Sequence, residues 1–209
     1  MKKRERADAR RNIGVLCSGN GTNLQAIIDA IRRGWLRARI AVVISDRADA
    51  RALIRARRAK IPAQLIDPRL FPNRAAYDRA LIRALEAAHV RVVCLAGFMR
   101  LLSPAFVRRF SPRILNIHPA LLPAFPGAHA IRDALAWGAK VTGVTVHLVD
   151  KKMDHGPILL QEAVPIRPRK SADRVLARVH HIEHRLYPKA IQCVLDGRVR
   201  MRGRTTKLI

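Results

Sequence analysis

Asn116 and His118 stand two residues apart at the end of a short apolar run, Ile114-Leu115-Asn116-Ile117, inside the stretch RILNIHPALLPAFPG at residues 113–127. Alternate residues of a strand point to one face, so this spacing sets a carboxamide beside an imidazole. Such a pair suits acyl transfer. The Asn NH2 can donate to a developing oxyanion, and His exchanges protons near neutral pH. The same two residues would serve equally as a polar strand end, with Asn closing a turn and His in solvent. Pro119, Pro123 and Pro126 then break the run into a loop closed by Gly127. Asp154 lies farther on, in the polar turn Lys151–Gly156. Alone it is a turn carboxylate; folded over the Asn116/His118 strand it would become the acid-base partner of His118 and raise the imidazole pKa.

A second chemical element opens the chain. Ile13 to Cys17 reads as a buried strand, Ser18 to Thr22 as a turn, and Asn23 to Arg33 as a helix. Strand, glycine loop and helix in that order aim free backbone N–H groups and a helix dipole at the turn, an arrangement that suits phosphate. Leu24 stands where the third glycine of a dinucleotide fingerprint would fall, and no Gly-Lys-Ser/Thr ending follows. A phosphate monoester therefore fits better than NAD or ATP, although a plain tight turn uses the same residues. Asp46 follows the second strand, where a nucleotide fold would hold a ribose, but turn chemistry explains it equally well. Cys17 beside the loop reads as a core thiol, since no base adjoins it in sequence.

The elements that must position these residues alternate. Strands are expected at Arg39–Ser45, Ala63–Ile66, Val90–Ala96, Val141–Val149 and Pro157–Val164. Helices are expected at Asp49–Lys60, Arg74–Ala88, from Ser103-Pro104, at His129–Trp137, and from a Ser171 cap to Asp196 before Gly197. The pattern predicts one α/β domain over residues 12–209, preceded by a basic tail at residues 1–11. Its core would be a Rossmann-like, mostly parallel twisted sheet with helices on both faces and antiparallel strands near the C-terminal part. Ligands in such sheets bind beyond the carboxyl ends of the strands, where the glycine loop, Gly97–Leu102 and His118 all fall. His180 and His184 are one helical turn apart near His181, but no third ligand is signalled, so no metal is expected.

The chain has 209 residues and a formal net charge of +26, from 41 Lys+Arg against 15 Asp+Glu. Such a balance raises nucleic acid as a partner. The basic residues are scattered, however, no RNA- or DNA-binding signature accompanies them, and aromatics are scarce, so the charge reads as solvated surface that helps collect anionic substrates. No apolar run reaches the length of a bilayer span, and MKKRERADARR lacks the apolar core of a secretory signal. The three cysteines, Cys17, Cys94 and Cys193, fit reduced thiols of a cytoplasmic protein.

Four ordered motifs carry a resemblance. Gly19-Asn20-Gly21-Thr22-Asn23, LAGFMRLLSP (Leu95 to Pro104), NIHPALLPAFPG and MDHGPILLQ (Met153 to Gln161) closely resemble the phosphoribosylglycinamide formyltransferase family over about Asn12 to Met201. The resemblance implies direct formyl transfer from 10-formyltetrahydrofolate to the amine of glycinamide ribonucleotide in purine synthesis, through a tetrahedral intermediate and without metal. It implies Asn116, His118 and Asp154 as catalytic residues. It implies Gly21, Thr22, Asn23, Leu24, Gln25 and Glu183 on the ribonucleotide, and Arg74, Met99, Arg100, Leu101, Leu102, Asn116 and Asp150 on the folate side. The chain departs from the family pattern at Ala120 (commonly Ser), Ile131 (often His) and His155 (usually small). The resemblance is compatible with a monomer or a homodimer. The rival readings are a formyltetrahydrofolate hydrolase, which normally carries an additional N-terminal domain, and a basic nucleic-acid-binding α/β module.

Overall fold

The strands of the core are apolar on both faces. In β1 (Asn12–Cys17), Ile13, Val15 and Cys17 face one apolar cluster while Leu16 faces another. β4 (Val92–Leu95) splits the same way, Val92 and Cys94 against Val93 and Leu95. Strands with no polar face must be covered by helices on both sides. The computed structural model describes residues 11–167 and 172–209, and there the helices divide accordingly. On one side lie α1 (Thr22–Arg32), α2 (Arg51–Arg58) and the long α6 (Ala172–Leu195); on the other lie α3 (Arg74–Ala87) and α4 (Pro104–Phe110).

Among the described residues the main sheet has seven strands in the order β3-β2-β1-β4-β5-β6-β7. Here β2 is Arg39–Ser45, β3 Ala63–Leu65, β5 Ile114–His118, β6 Val141–Leu148 and β7 Ile158–Pro165. The first five run parallel, and β6 and β7 are antiparallel, as the sequence predicts. The chain moves outward from β1 to β3, then returns to the far side of β1 with β4. That reversal opens a crevice between the loops after β1 and β4. Two hydrogen bonds tie those loops together, from Ser18 N to Gly97 O at 3.0 Å and from Met99 N to Ser18 Oγ at 2.9 Å.

Local signals hold where they were strongest. Ser103 caps α4 through the Phe106 amide with Pro104 in its first turn, and Gly197 adopts φ 68° just past α6. The helix expected at His129–Trp137 is α5 (Ala130–Ala136), and the one expected at Asp49–Lys60 is the shorter α2. The expected Ser171 cap and residues 1–10 of the tail lie outside the described residues. Arg11, grouped with that tail by sequence, belongs to the folded body: its guanidinium pairs with Asp196 at 2.8 Å and its carbonyl accepts the Arg39 amide. An antiparallel hairpin, β8 (Val199–Arg202) and β9 (Thr205–Leu208), follows α6 and was not anticipated. Its strands are only four residues each and mostly exposed, so the brief alternation of Val199 and Met201 with Arg200 and Arg202 is too short a signal to mark it.

Tyr187, fully buried on α6, joins helix to sheet where the site begins. Its hydroxyl shares one proton between Leu95 O at 2.8 Å, at the end of β4, and Leu115 O at 3.0 Å, inside β5. Tyr187→Phe strands both carbonyls without changing the ring. It should cost ~1–3 kcal/mol, read as a lower denaturant midpoint with unchanged slope.

Candidate active site

Asn116, His118 and Asp154 meet. β5 places Leu115 and Ile117 against α6, so Asn116 and His118 point to the opposite face. The turn between β6 and β7 brings Asp154 onto that face. Asn116 Nδ2 lies 3.3 Å from Asp154 Oδ1, and His118 Nδ1 lies 3.4 Å from Asp154 Oδ2. The carboxylate is nearly buried and accepts the Gly127 amide at 2.8 Å, so the proline loop closes over it. Phe125 (φ 52°) and Asp154 (φ 49°) are both non-glycine residues in the left-handed region. Such backbone costs ~1–3 kcal/mol each and persists where surrounding contacts impose it.

A fourth member was not singled out from the sequence. Asn116 and His147 are register partners across the antiparallel β5–β6 pair. His147 Nδ1 faces the Leu148 carbonyl at 2.9 Å, so it carries the proton and leaves Nε2 to accept from Asn116 Nδ2 at 3.2 Å. The amide is thereby oriented between His147 and Asp154. Its hydrogen toward Asp154 makes the longer contact and is the one a nearby oxyanion would draw away. The signal for His147 was present in the strand TGVTVHLV, where Thr145 and His147 share one face. Only strand pairing shows which face. Thr145 does related work, taking the Leu122 amide at 3.0 Å and donating to Ala120 O at 2.6 Å, which fixes the loop after His118.

The electrostatics depart from expectation in one respect. Burial works against ionisation of Asp154, but the hydrogen bond from the Gly127 amide and the adjacent His118 more than offset it, and its pKa falls below the ordinary carboxylate value. Asp154 was expected to raise the His118 pKa and hold its proton near neutral pH. Burial lowers that pKa, and the upward pull of Asp154 and the Phe125 carbonyl does not overcome it. Both ring nitrogens nevertheless face acceptors, Nε2 at 2.8 Å from Phe125 O and Nδ1 toward Asp154. The imidazolium is thus geometrically provided for and opposed by desolvation, so new negative charge nearby would favour it.

A cavity of about 1000 Å³ adjoins this cluster. Ile117 and Pro119, on either side of His118, line it; the Asn116–His118–Asp154 group does not itself form its wall. Ser18 to Asn23 form one end. The first intrahelical bond of α1 runs from Gln25 N to Gly21 O at 2.9 Å, so the Thr22, Asn23 and Leu24 amides are its open first-turn donors. The Leu24 side chain is core, and the Gln25 side chain is held by Arg55, which also binds Asn20 O at 2.8 Å. Gly21 has φ 68°, and a Cβ there would fall 2.8 Å from the Ala52 backbone. Any side chain at Gly21 therefore disturbs the packing of α1 on α2 as well as the loop.

Comparison with known proteins decides the family of this chain. Residues 11–191 match the formyl transferase family. The chain is 47% identical over 190 residues to phosphoribosylglycinamide formyltransferase of Escherichia coli, covering 91% of this chain and 90% of that protein. The chain belongs to the formyl transferase family. A solved glycinamide ribonucleotide transformylase from Symbiobacterium toebii superposes with a TM-score of 0.93 at 51% identity, covering 95% of this chain and 93% of that one. Against the Homo sapiens trifunctional purine biosynthetic protein adenosine-3, 44% identical, this formyltransferase spans 19% of the length. A solved formyltetrahydrofolate deformylase from Pseudomonas syringae is 25% identical with a TM-score of 0.86, and the match covers 66% of that chain.

The remaining residues of the formyltransferase fall as follows. Met99 and Arg100 line the cavity with Asp67, Pro68, Arg69 and Ile131, the last at a departure from the family pattern. Arg100 reaches toward buried Asp46 at 3.7 Å. Arg74, exposed at the start of α3, Leu101, Leu102 and Asp150 do not line it. His180 lines the cavity and its ring stacks on that of His184 at 6.1 Å; among the described residues no group of three His, Cys, Asp or Glu could hold a metal. Burial pushes the Cys17 thiol up to about 12, which suits its core position.

Glu183 lies at the loop end of the cavity, 5% exposed, and accepts Asn23 Nδ2 at 3.2 Å. Burial raises its pKa from 4.5 to about 7, partly opposed by Asn23. Between those values the folded protein keeps a proton that the unfolded chain has released, so stability falls as pH rises through that window. Thermal melts at pH 5 and pH 8 should show wild type losing up to ~3 kcal/mol more than Glu183→Gln. Parallel losses in both proteins would place the pH dependence elsewhere.

Proposed function

We propose that this formyltransferase moves the formyl group of 10-formyltetrahydrofolate onto the amine of glycinamide ribonucleotide, in de novo purine (IMP) synthesis in the cytoplasm. The observation that carries the mechanism is the meeting of Asn116 and His118, each within 3.4 Å of the Asp154 carboxylate, beside one cavity. The open amides of α1 at the other end suit the ribonucleotide phosphate. Glu183 faces its sugar or glycinamide part. The cavity also joins apolar Met99, Pro68 and Ile131 to the basic residues Arg69 and Arg100, a set that fits a flat ring system ending in carboxylates. The folate supplies an activated formyl carbon.

Chain residues then act in sequence. Asn116 Nδ2 turns a hydrogen from Asp154 to the oxygen that becomes anionic as the amine attacks the formyl carbon. That charge offsets the burial penalty at His118, which takes up the proton shed by the attacking nitrogen and, as an imidazolium, stabilises the same oxygen through its charge. Asp154 stays ionised and orients His118, which then gives that proton to the departing folate nitrogen. The carbon–nitrogen bond to folate breaks as the new one is completed, so protons and electrons balance. No covalent enzyme intermediate is required.

Incubation with 10-formyltetrahydrofolate, with and without glycinamide ribonucleotide, tests the reading. Loss of the donor only when the amine is present is expected; loss to water alone would make the protein a hydrolase. Asn116→Ala should lower turnover ~10²–10³-fold with folate binding retained. Asp154→Asn should lower the His118 pKa further, read by NMR titration of the ring. The Asn116/His118 double variant should lose far less than the product of the single losses. Multiplicative losses would separate these residues into independent contributors.

A further inference from the structure

The turn that carries Asp154 is held from both sides. Its inner side presses on β6, where a Cβ at Gly156 would fall 1.8 Å from Leu148 O and where Leu148 N bonds to Pro157 O at 2.9 Å. Its outer side meets the C-terminal hairpin. Arg204, just before β9, sends Nη2 to the His155 carbonyl at 2.5 Å and Nη1 to within 3.0 Å of both His155 ring nitrogens. His155 Nδ1 lies 2.7 Å from Asp150 Oδ2, an acceptor only, so Nδ1 carries the proton and Nε2 is free to accept from Arg204. Asp150 Oδ1 in turn takes the Lys152 amide at 2.9 Å. β9 packs on β7, and Thr206 Oγ1 donates to Ile158 O.

We infer that Arg204 and His155 are positioning residues for Asp154: the hairpin clamps the turn, through an Arg204–His155–Asp150 chain, in the left-handed conformation that aims the carboxylate at His118. The inference rests on the role given to Asp154 above. Asp154 has φ 49° and is not a glycine, so its conformation must be imposed by its neighbours. Arg204 grips the carbonyl of the very next residue. A guanidinium can hold that carbonyl and the ring together because its donors lie in one rigid fork, which a lysine ammonium does not reproduce. The inference also gives His155 a purpose at a position where the family usually has a small residue.

The full-length chain and its Arg204→Ala, Arg204→Lys, His155→Ala and Asp154→Asn variants test this. Arg204 and His155 are exposed, so the first three should melt within a few degrees of wild type. Arg204→Ala should lower kcat about 10-fold with both KM values nearly unchanged, the pattern of a misaimed group. Its His118 NMR signals should move in the direction seen with Asp154→Asn, but less. His155→Ala should do the same, the double variant should be no worse than the poorer single, and Arg204→Lys should recover only part of the rate. Wild-type kcat in Arg204→Ala beside an inactive Asp154→Asn would overturn the clamp and leave the catalytic reading standing. An active Asp154→Asn would overturn the catalytic reading itself. A kcat loss explained wholly by unfolded protein, with unmoved His118 signals in the folded fraction, would reduce the hairpin to a structural support.

Discussion

The site depends on keeping one carboxylate charged in a place that disfavours charge. Asp154 is nearly buried, and a bare anion there would take up a proton. The Gly127 amide and the Asn116 carboxamide donate to it, and His118 faces it at 3.4 Å. These groups arrive from the proline loop and the last parallel strand β5, while His147 on β6 acts through Asn116 by accepting its other amide hydrogen. The left-handed backbone at Phe125 and Asp154 is the strain that accompanies their convergence. Because His118 is opposed by burial and supported by Asp154, its protonation responds to charge appearing beside it. That response is what a group must have to stabilise a transition state more than a ground state.

Sheet topology explains why two chemically different ends share one cavity. Parallel strands deliver all their following loops to the same edge, so the glycine loop after β1 and the Gly97 loop after β4 adjoin at the reversal of strand order. The antiparallel pair β6–β7 then adds what parallel strands cannot. It sets His147 directly opposite Asn116, and its connecting turn returns over the same edge with Asp154. Cations outnumber acids by 41 to 15 along the chain, with Arg47, Arg69 and Arg100 on the cavity itself. A positive field of this kind raises the encounter rate with phosphates and carboxylates without fixing their pose.

Much of this was legible in the residues because it is governed by short-range rules. The alternating apolar runs dictated a sheet covered on both faces, Ser103-Pro104 and Gly197 marked helix ends, and Asn116-x-His118 had to share a strand face whatever the fold. The ordered motifs tied Asp154 to that pair by resemblance. Four matters were decided by tertiary structure alone. His147 became part of the site only through cross-strand register, which no local spacing encodes. The direction of the His118 shift turned on how much solvent the folded chain excludes, and a neighbouring carboxylate in the sequence says nothing of that. Arg11 joined the body because Asp196 lies beside it in space, 185 residues away in sequence. Last, the hairpin after Gly197 left only a four-residue alternation, since its strands are held by a sheet edge and by Arg204 on His155 rather than by burial of its own. Local sequence determines which way a side chain faces; only the folded chain determines what it faces and how dry that place is.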